Sequence, residues 1–408
     1  MAFDFKQLKK MLAEYKVYDA WQYVQSLSEY IRYMEVSYCL LDYCSKHRKD
    51  AFDLLNSEMF AKAAENPGES VSPTNEQMKY TVLDIAGFQL DDSLMMQKSI
   101  MEFFHYARIA IDILSQIINA ALFGEHAFPV ESTNLPKRVL DKLKTETDFL
   151  NLYSILNAGF DDPEVKYLMA FDNYTKHIKT ILFSIKNSLI VGTDNEFSIS
   201  GFTYKGTQYP KEEDAVKKAE TIYHIVLSLM QAALSELLVQ IPHCLMNSNR
   251  FQTIKFKGLF KEKDDSCSVE YFSFFLEVPD GIASLGTEIA ILPLIVKPNG
   301  EVFSTQIPVS KVFLTKDFAK PEFELFGVAE ALSQANSNEQ YKKYSVRQCG
   351  LDEYYAYTST FTDQVDHLSF NHLAMEGEMV FVKDTVEVND VESSSDSVDE
   401  IPEGSKIE

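Results

Sequence analysis

Phe171-Asp172-Asn173-Tyr174-Thr175-Lys176-His177-Ile178-Lys179-Thr180 is the stretch around which the chain is read. Upstream stands Asp161-Asp162-Pro163-Glu164, a strong helix start: a capping Asp, Pro at the first helical position and an early Glu. The spacing predicts a helix from Pro163 to Val191. Its apolar face would be Phe171, Tyr174, Ile178, Ile181, Leu182, Ile185 and Leu189. Asn173 and His177 are four apart, so they stack one turn above the other off that stripe, with Thr180 and Ser184 continuing the polar edge. Lys176 and Lys179 flank His177 and give local positive charge.

Working outward, residues 3–64 alternate apolar and charged at helical spacing and suit two or three amphipathic helices, with Ala51 to Ala64 extending the run. A loop follows from Asn66-Pro67-Gly68 to Asn75, where Thr74 or Asn75 can cap a short helix. Ser93 to Phe123 carries Ile100, Phe103, Phe104, Ala107, Ile111, Leu114 and Ile118 on one side and Ile109, Ile113 and Ile117 on another. A helix apolar around so much of its circumference belongs at the centre of a bundle, and Gly124 stops it. Across it runs a polar stripe of Glu102, His105, Arg108, Asp112, Gln116 and Asn119, in which Arg108 and Asp112 can pair or Arg108 can supply a cation to a cleft. Short helices are expected at 135–143 and 147–157, a small β-hairpin near 197–209 and a long helix from Lys211 to Ile241.

Composition shifts near residue 250. Thr253-Ile254-Lys255-Phe256 and Val302 to Ile307 alternate, and Asp280-Gly281 and Pro298-Asn299-Gly300 signal turns. A small antiparallel sheet is expected, with a helix over Phe318 to Gln334. The fold class is therefore mainly α: a helical bundle over 1–249, a β-rich α+β domain over 250–382 and a disordered acidic tail over 383–408.

The chain has 408 residues and a formal net charge of −23. From Asp352 onward stand fifteen acidic residues and two lysines, so more than half of that charge lies in the last seventh. The body is only mildly acidic, and a local basic groove remains compatible with it. Five dispersed cysteines form no CxxC pair and fit free thiols in a reducing cytoplasm. The stretch Ile109 to Phe123 is interrupted by Asp112, Gln116 and Asn119, so no run is expected to span a membrane. No P-loop, dinucleotide fingerprint, GxSxG or HExxH occurs, and no cofactor or metal is expected.

The pattern Asn173-x-x-Lys176-His177 within a helix, beside a long helix such as Glu102 to Asn119, resembles the HEPN superfamily of prokaryotic helical-bundle proteins. It is most similar to uncharacterised branches in which Asn-x-x-Lys-His is typical. The likeness covers about residues 1–245 and leaves the β-rich part unexplained. It implies a HEPN-like bundle and a protein related to RNA-processing or defence ribonucleases of anti-phage and toxin–antitoxin systems. Such proteins are commonly metal-independent endoribonucleases and usually homodimers. The resemblance implies RNA or a protein as partner, His177 as acid/base, and Asn173 and Lys176 beside it. The family's Arg, which stabilises phosphate charge, is here Asp172; Lys176, Lys179 or Arg108 would have to supply the cation. That departure implies a degenerate active site used for binding. The alternative is a non-catalytic structural or interaction protein with no nucleic-acid role.

Overall fold

In a computed structural model the described residues are 3–85, 87–129, 132, 134–186, 196–243, 251–262, 269–278, 285–297, 300–304, 311–318, 324–332, 342–359 and 373–382. The chain is mainly α, with an α+β part, and divides into two compact units. The first comprises Met1–Ser248 with Asn299–Val302, the second Asn249–Pro298 with Phe303–Glu408. The tail from 383 onward, and the turns at Asp280-Gly281 and Pro298-Asn299, lie outside the described residues.

The helical unit opens with α1 (Phe5–Glu14), capped by Asp4, and α2 (Tyr18–Glu65). Residues 3–64 thus make two helices. Tyr18 to Glu65 contains no Gly or Pro, and Val24, Leu27, Met34, Leu41, Ala51 and Leu55 keep one face buried along it. Asn66-Pro67-Gly68 ends it. Thr74 and Gln77 then exchange a reciprocal pair: the Gln77 N–H donates to Thr74 Oγ1 at 3.3 Å and the Thr74 N–H to Gln77 Oε1 at 2.9 Å. This is a capping box at a short 3-10 turn. The hairpin β1 (Val82–Ile85) and β2 (Phe88–Asp91) follows, which the sequence reading missed.

Next comes α3 (Asp92–Phe123), started by Asp91 accepting from the Ser93 N–H at 2.8 Å and stopped at Gly124, whose φ is +51°. Then follow α4 (Leu135–Thr145), α5 (Leu150–Asp161) and α6 (Pro163–His177). The small strands β3 (Phe183–Lys186), β4 (Glu196–Ile199), β5 (Phe202–Tyr204) and β6 (Thr207–Tyr209) lead into α7 (Ala215–Gln240). β3 pairs with β4, and β5 with β6 through a Lys205-Gly206 turn in which both φ values are positive. The expected hairpin is thus narrower, at 202–209. α3 packs on α2, α4, α6 and α7, and Ile100, Phe103, Phe104, Ala107, Ile111, Leu114 and Ile117 are wholly buried. α3 and α7 are long and apolar enough, by length and composition, to cross a membrane; the apolar window of α3 is 72% buried among protein, as in a bundle core.

The rest of the chain forms β7 (Phe251–Glu262), β8 (Val269–Glu277), β9 (Glu288–Val296), β10 (Val302–Ser304), β11 (Lys311–Thr315), β12 (Leu325–Ala331), β13 (Lys342–Gln348), α8 (Leu351–Ser359) and β14 (Leu373–Val382), all within the second unit except Val302 at the start of β10. The strand order is β10-β9-β13-β12-β11-β8-β7-β14, and β14 also pairs with β9. Seven strands therefore close into a ring, with β10 attached to β9. β8 and β11 run parallel, Phe275 opposite Phe313, so the expected small antiparallel sheet is instead a closed mixed one. Alternation sets two faces. Phe274, Leu276, Val312, Leu314 and Ala329 join one core, while the intervening Phe275, Phe313 and Val328 join a second core with Tyr354 of α8. The helix expected over Phe318 to Gln334 is a strand at 325–331, because Val328 and Ala329 fill opposite faces; the helix of this unit is α8.

Candidate functional site

The helix carrying the motif ends earlier than its periodicity predicts. Asp162 accepts from the Glu164 N–H at 2.8 Å and starts α6, but the Ile178 and Lys179 N–H groups both donate to the Tyr174 carbonyl and close the helix at His177. The β-branched and aromatic run beyond is drawn into pairing with β4, Phe183 opposite Ile199 and Ile185 opposite Phe197. Ile178 and Leu182 are exposed and do not extend the apolar face. Thr180 lies past the helix and Ser184 on β3, so neither continues the polar edge; Leu189 is outside the described residues.

Phe171 packs its ring 4.4 Å from that of Phe104 and seats α6 on α3. This packing buries the neighbouring Asp172, whose side chain is only 4% exposed. Its carboxylate is not left unpaired. One oxygen is 3.1 Å from His105 Nδ1 and the other 2.7 Å from Lys176 Nζ. A carboxylate only accepts, so the shared proton sits on Nδ1 of His105 and Nε2 is left with a lone pair in the neutral ring. The His105 side chain is 43% exposed.

One turn along α3, Arg108 pairs with Asp112, as the i, i+4 spacing predicts. Burial pushes the Asp112 carboxyl above its ordinary value, against the pull of Arg108 and Lys176. Asp172 adds to the rise, so the charges of the two helices are electrostatically joined. His105, Arg108, Asp112, Asp172 and Lys176 thus form one polar seam between α3 and α6.

The motif residues sit at the edge of this seam. Asn173 is half-buried, and Lys176 and His177 are exposed in the last turn, where positive charge suits the helix dipole. Among the described residues the side chains of Asn173 and His177 make no hydrogen bond or ion pair. Lys176 is engaged by Asp172 and Arg108 by Asp112. In the sequence, His105 is one of six residues of the polar stripe and nothing singles it out, and Asp172 stands only as an interruption of the motif. The available signal was a polar residue on each of two apolar helix faces. No cluster of three metal-ligating side chains occurs among the described residues.

Compared with known proteins, the chain matches no family model, no curated protein and no solved structure.

Proposed function

We propose that the helical unit is a HEPN-like module of a prokaryotic RNA-processing or defence protein, binding RNA or a protein partner through the edge formed by Asn173, Lys176 and His177. The observation that supports this reading is the neutralisation of Asp172. An unpaired carboxylate at the family's Arg position would repel a phosphate. Here its charge is held inside the protein by Lys176 and His105, and His177 is left presented to solvent. On this reading the protein is a cytoplasmic homodimer, and any turnover is metal-independent endoribonuclease chemistry.

The test is fluorescence anisotropy with a labelled single-stranded RNA in EDTA. Binding should be weakened at least tenfold in the double variant Lys176→Ala/Lys179→Ala and reduced in His177→Ala. A wild-type protein that fails to bind, or a double variant that binds unchanged, refutes the assignment. The alternative, a structural or interaction protein with no nucleic-acid role, is favoured by one observation: Arg108 and Lys176 each already face a carboxylate.

A further inference from the structure

We infer that the outer face of α2 is a self-association surface, across which a second copy of this chain lies antiparallel, with the two-fold axis beside Asp42. This inference rests on the homodimer of the reading above, to which it gives a surface and an orientation, and takes nothing from the RNA role.

One face of α2 is committed to the bundle, where Val24, Leu27, Met34, Leu41 and Leu55 are buried. The same helix carries a second apolar row. Tyr33, Val36, Leu40 and Tyr43 follow one another at steps of three and four, and Leu54 continues the row. Such alternating steps are the seam of paired helices. Tyr33, Val36, Tyr43 and Leu54 are between 47% and 58% exposed, and Leu40 is half-buried. At 1.5 Å per residue the row runs about 32 Å. At one rim the Tyr33 ring meets that of Tyr106 at 5.6 Å, which extends the apolar surface onto α3. Single exposed apolar side chains are ordinary, whereas a continuous row of them marks an interaction surface.

The charges beside the row identify what covers it. Along its edge stand Arg32, Glu35, Asp42, Lys46, Lys49 and Asp53, in the order plus, minus, minus, plus, plus, minus. Reversing that order inverts every sign. A second copy laid antiparallel therefore sets Arg32 against Asp53, Glu35 against Lys49 and Asp42 against Lys46, and each of these pairs occurs twice. Asp50 adds another acceptor beside Asp53 for Arg32. In the same register Leu40 meets Tyr43 of the second copy, and Val36 meets His47. A parallel pair in register would instead set each charge level with its own like.

All six side chains are available for this. Five are exposed, and the Asp42 side chain is 37% exposed. Asp42 and Lys46 also bond within the helix at 2.6 Å, so at the axis two such pairs join into one network. An exposed pair of this kind adds little to the stability of the helix itself. Opposed charges across an interface fix its register and orientation. A chain of net charge −23 otherwise repels its own copies, so self-association requires a face on which cations meet anions.

The test is sedimentation velocity of the full chain over a concentration series. Wild type should form a dimer. Lys46→Glu/Lys49→Glu and Glu35→Lys/Asp42→Lys each set like charges against one another and should weaken self-association at least ~100-fold. An equimolar mixture of the two variants should form the dimer again, because each then offers the charges that the other needs. Val36→Glu serves if a double variant does not fold, and should weaken association to the same degree. Carbodiimide treatment of the wild-type dimer should link Glu35 to Lys49. On one helix these residues stand about 21 Å apart, so that link forms only between copies. A dimer that both double variants retain, or variants that stay monomeric when mixed, overturns the antiparallel α2 surface. A wild type that remains monomeric overturns it together with the homodimer. RNA binding is decided separately, by the anisotropy measurement.

Discussion

Asp172→Arg would install the arginine that the proposed HEPN-like reading expects at this position, and it should damage the protein. Asp172 is nearly inaccessible between α6 and α3, so a guanidinium placed there is buried too. It would face Lys176 and His105, which now face a carboxylate 2.7 Å and 3.1 Å away. Removing one partner of a charged hydrogen bond costs ~1.5–3 kcal/mol. The partners here are more than a third exposed and can recover water, so Asp172→Ala should cost only ~1.5–2 kcal/mol. Asp172→Arg adds an uncompensated buried charge beside a like charge, for a total of ~3–5 kcal/mol. Urea unfolding followed by tryptophan fluorescence isolates the effect, because Trp21 is the single tryptophan and is buried on α2 in the same unit. The midpoint should fall in the order wild type, Asp172→Ala, Asp172→Arg. An arginine variant as stable as wild type would show that the position is open to solvent and would refute the seam.

Three further outcomes follow from packing and charge. Phe104→Ala removes the wholly buried ring that seats α6 and should cost ~3–5 kcal/mol by the same fluorescence assay; a loss below ~1 kcal/mol would contradict the α3–α6 contact. A Cβ on Gly159 would lie 2.3 Å from Leu229 Cδ1, so Gly159→Ala should destabilise by ~1–3 kcal/mol. Adding Leu229→Ala should then cost less than the sum of the two single changes, and strict additivity would mean that α5 and α7 do not touch there. On the barrel, hydrogen bonds from Arg347 and then Lys311 hold the Glu330 carboxyl down at about 2. A carboxylate depressed on folding stabilises above its unfolded pKa of ~4.3, and that contribution fades as pH falls through the folded value. The gap in Tm between wild type and Glu330→Gln should therefore shrink from pH 6 to pH 2, worth ~1 kcal/mol after solvent screening; a gap that widens would reverse the sign.

Helix starts were legible because capping chemistry is local. Asp162-Pro163-Glu164 opens α6, and α3 begins one residue from its expected start. The end of α6 was not, since Ile178 to Ile185 carries apolar residues at helical spacing and only pairing with β4 assigns 183–186 to a strand. The strands of the second unit were visible by alternation at Ile254 and Phe256, but their closure depends on partners distant in sequence, such as the parallel β8–β11 pair. α8 was missed because nine residues carry little period, and its anchor Tyr354 finds Phe275 and Phe313 only in the folded unit. Of the polar seam, the Arg108–Asp112 pair was legible from its i, i+4 spacing, while Asn173, Lys176 and His177 were read from a motif and stand at the edge of the seam. His105 and Asp172 are 67 residues apart, and only helix packing brings them together.

The closed ring also sets the order in which the chain can finish folding. β14 inserts between β7 and β9, with Val382 opposite Phe251 at one side and opposite Ala290 at the other. Strands β7 to β13 emerge from the ribosome first, and until β14 follows, β7 and β9 lack the pairing that it supplies. The helical unit has its last α-helix complete at Gln240, long before Leu373. A chain interrupted before Leu373 would leave β7 and β9 without that pairing, an invitation to strand addition and aggregation. Residues 373–382 thus act as the fastening stave of the barrel, and chaperone demand during synthesis should track their arrival.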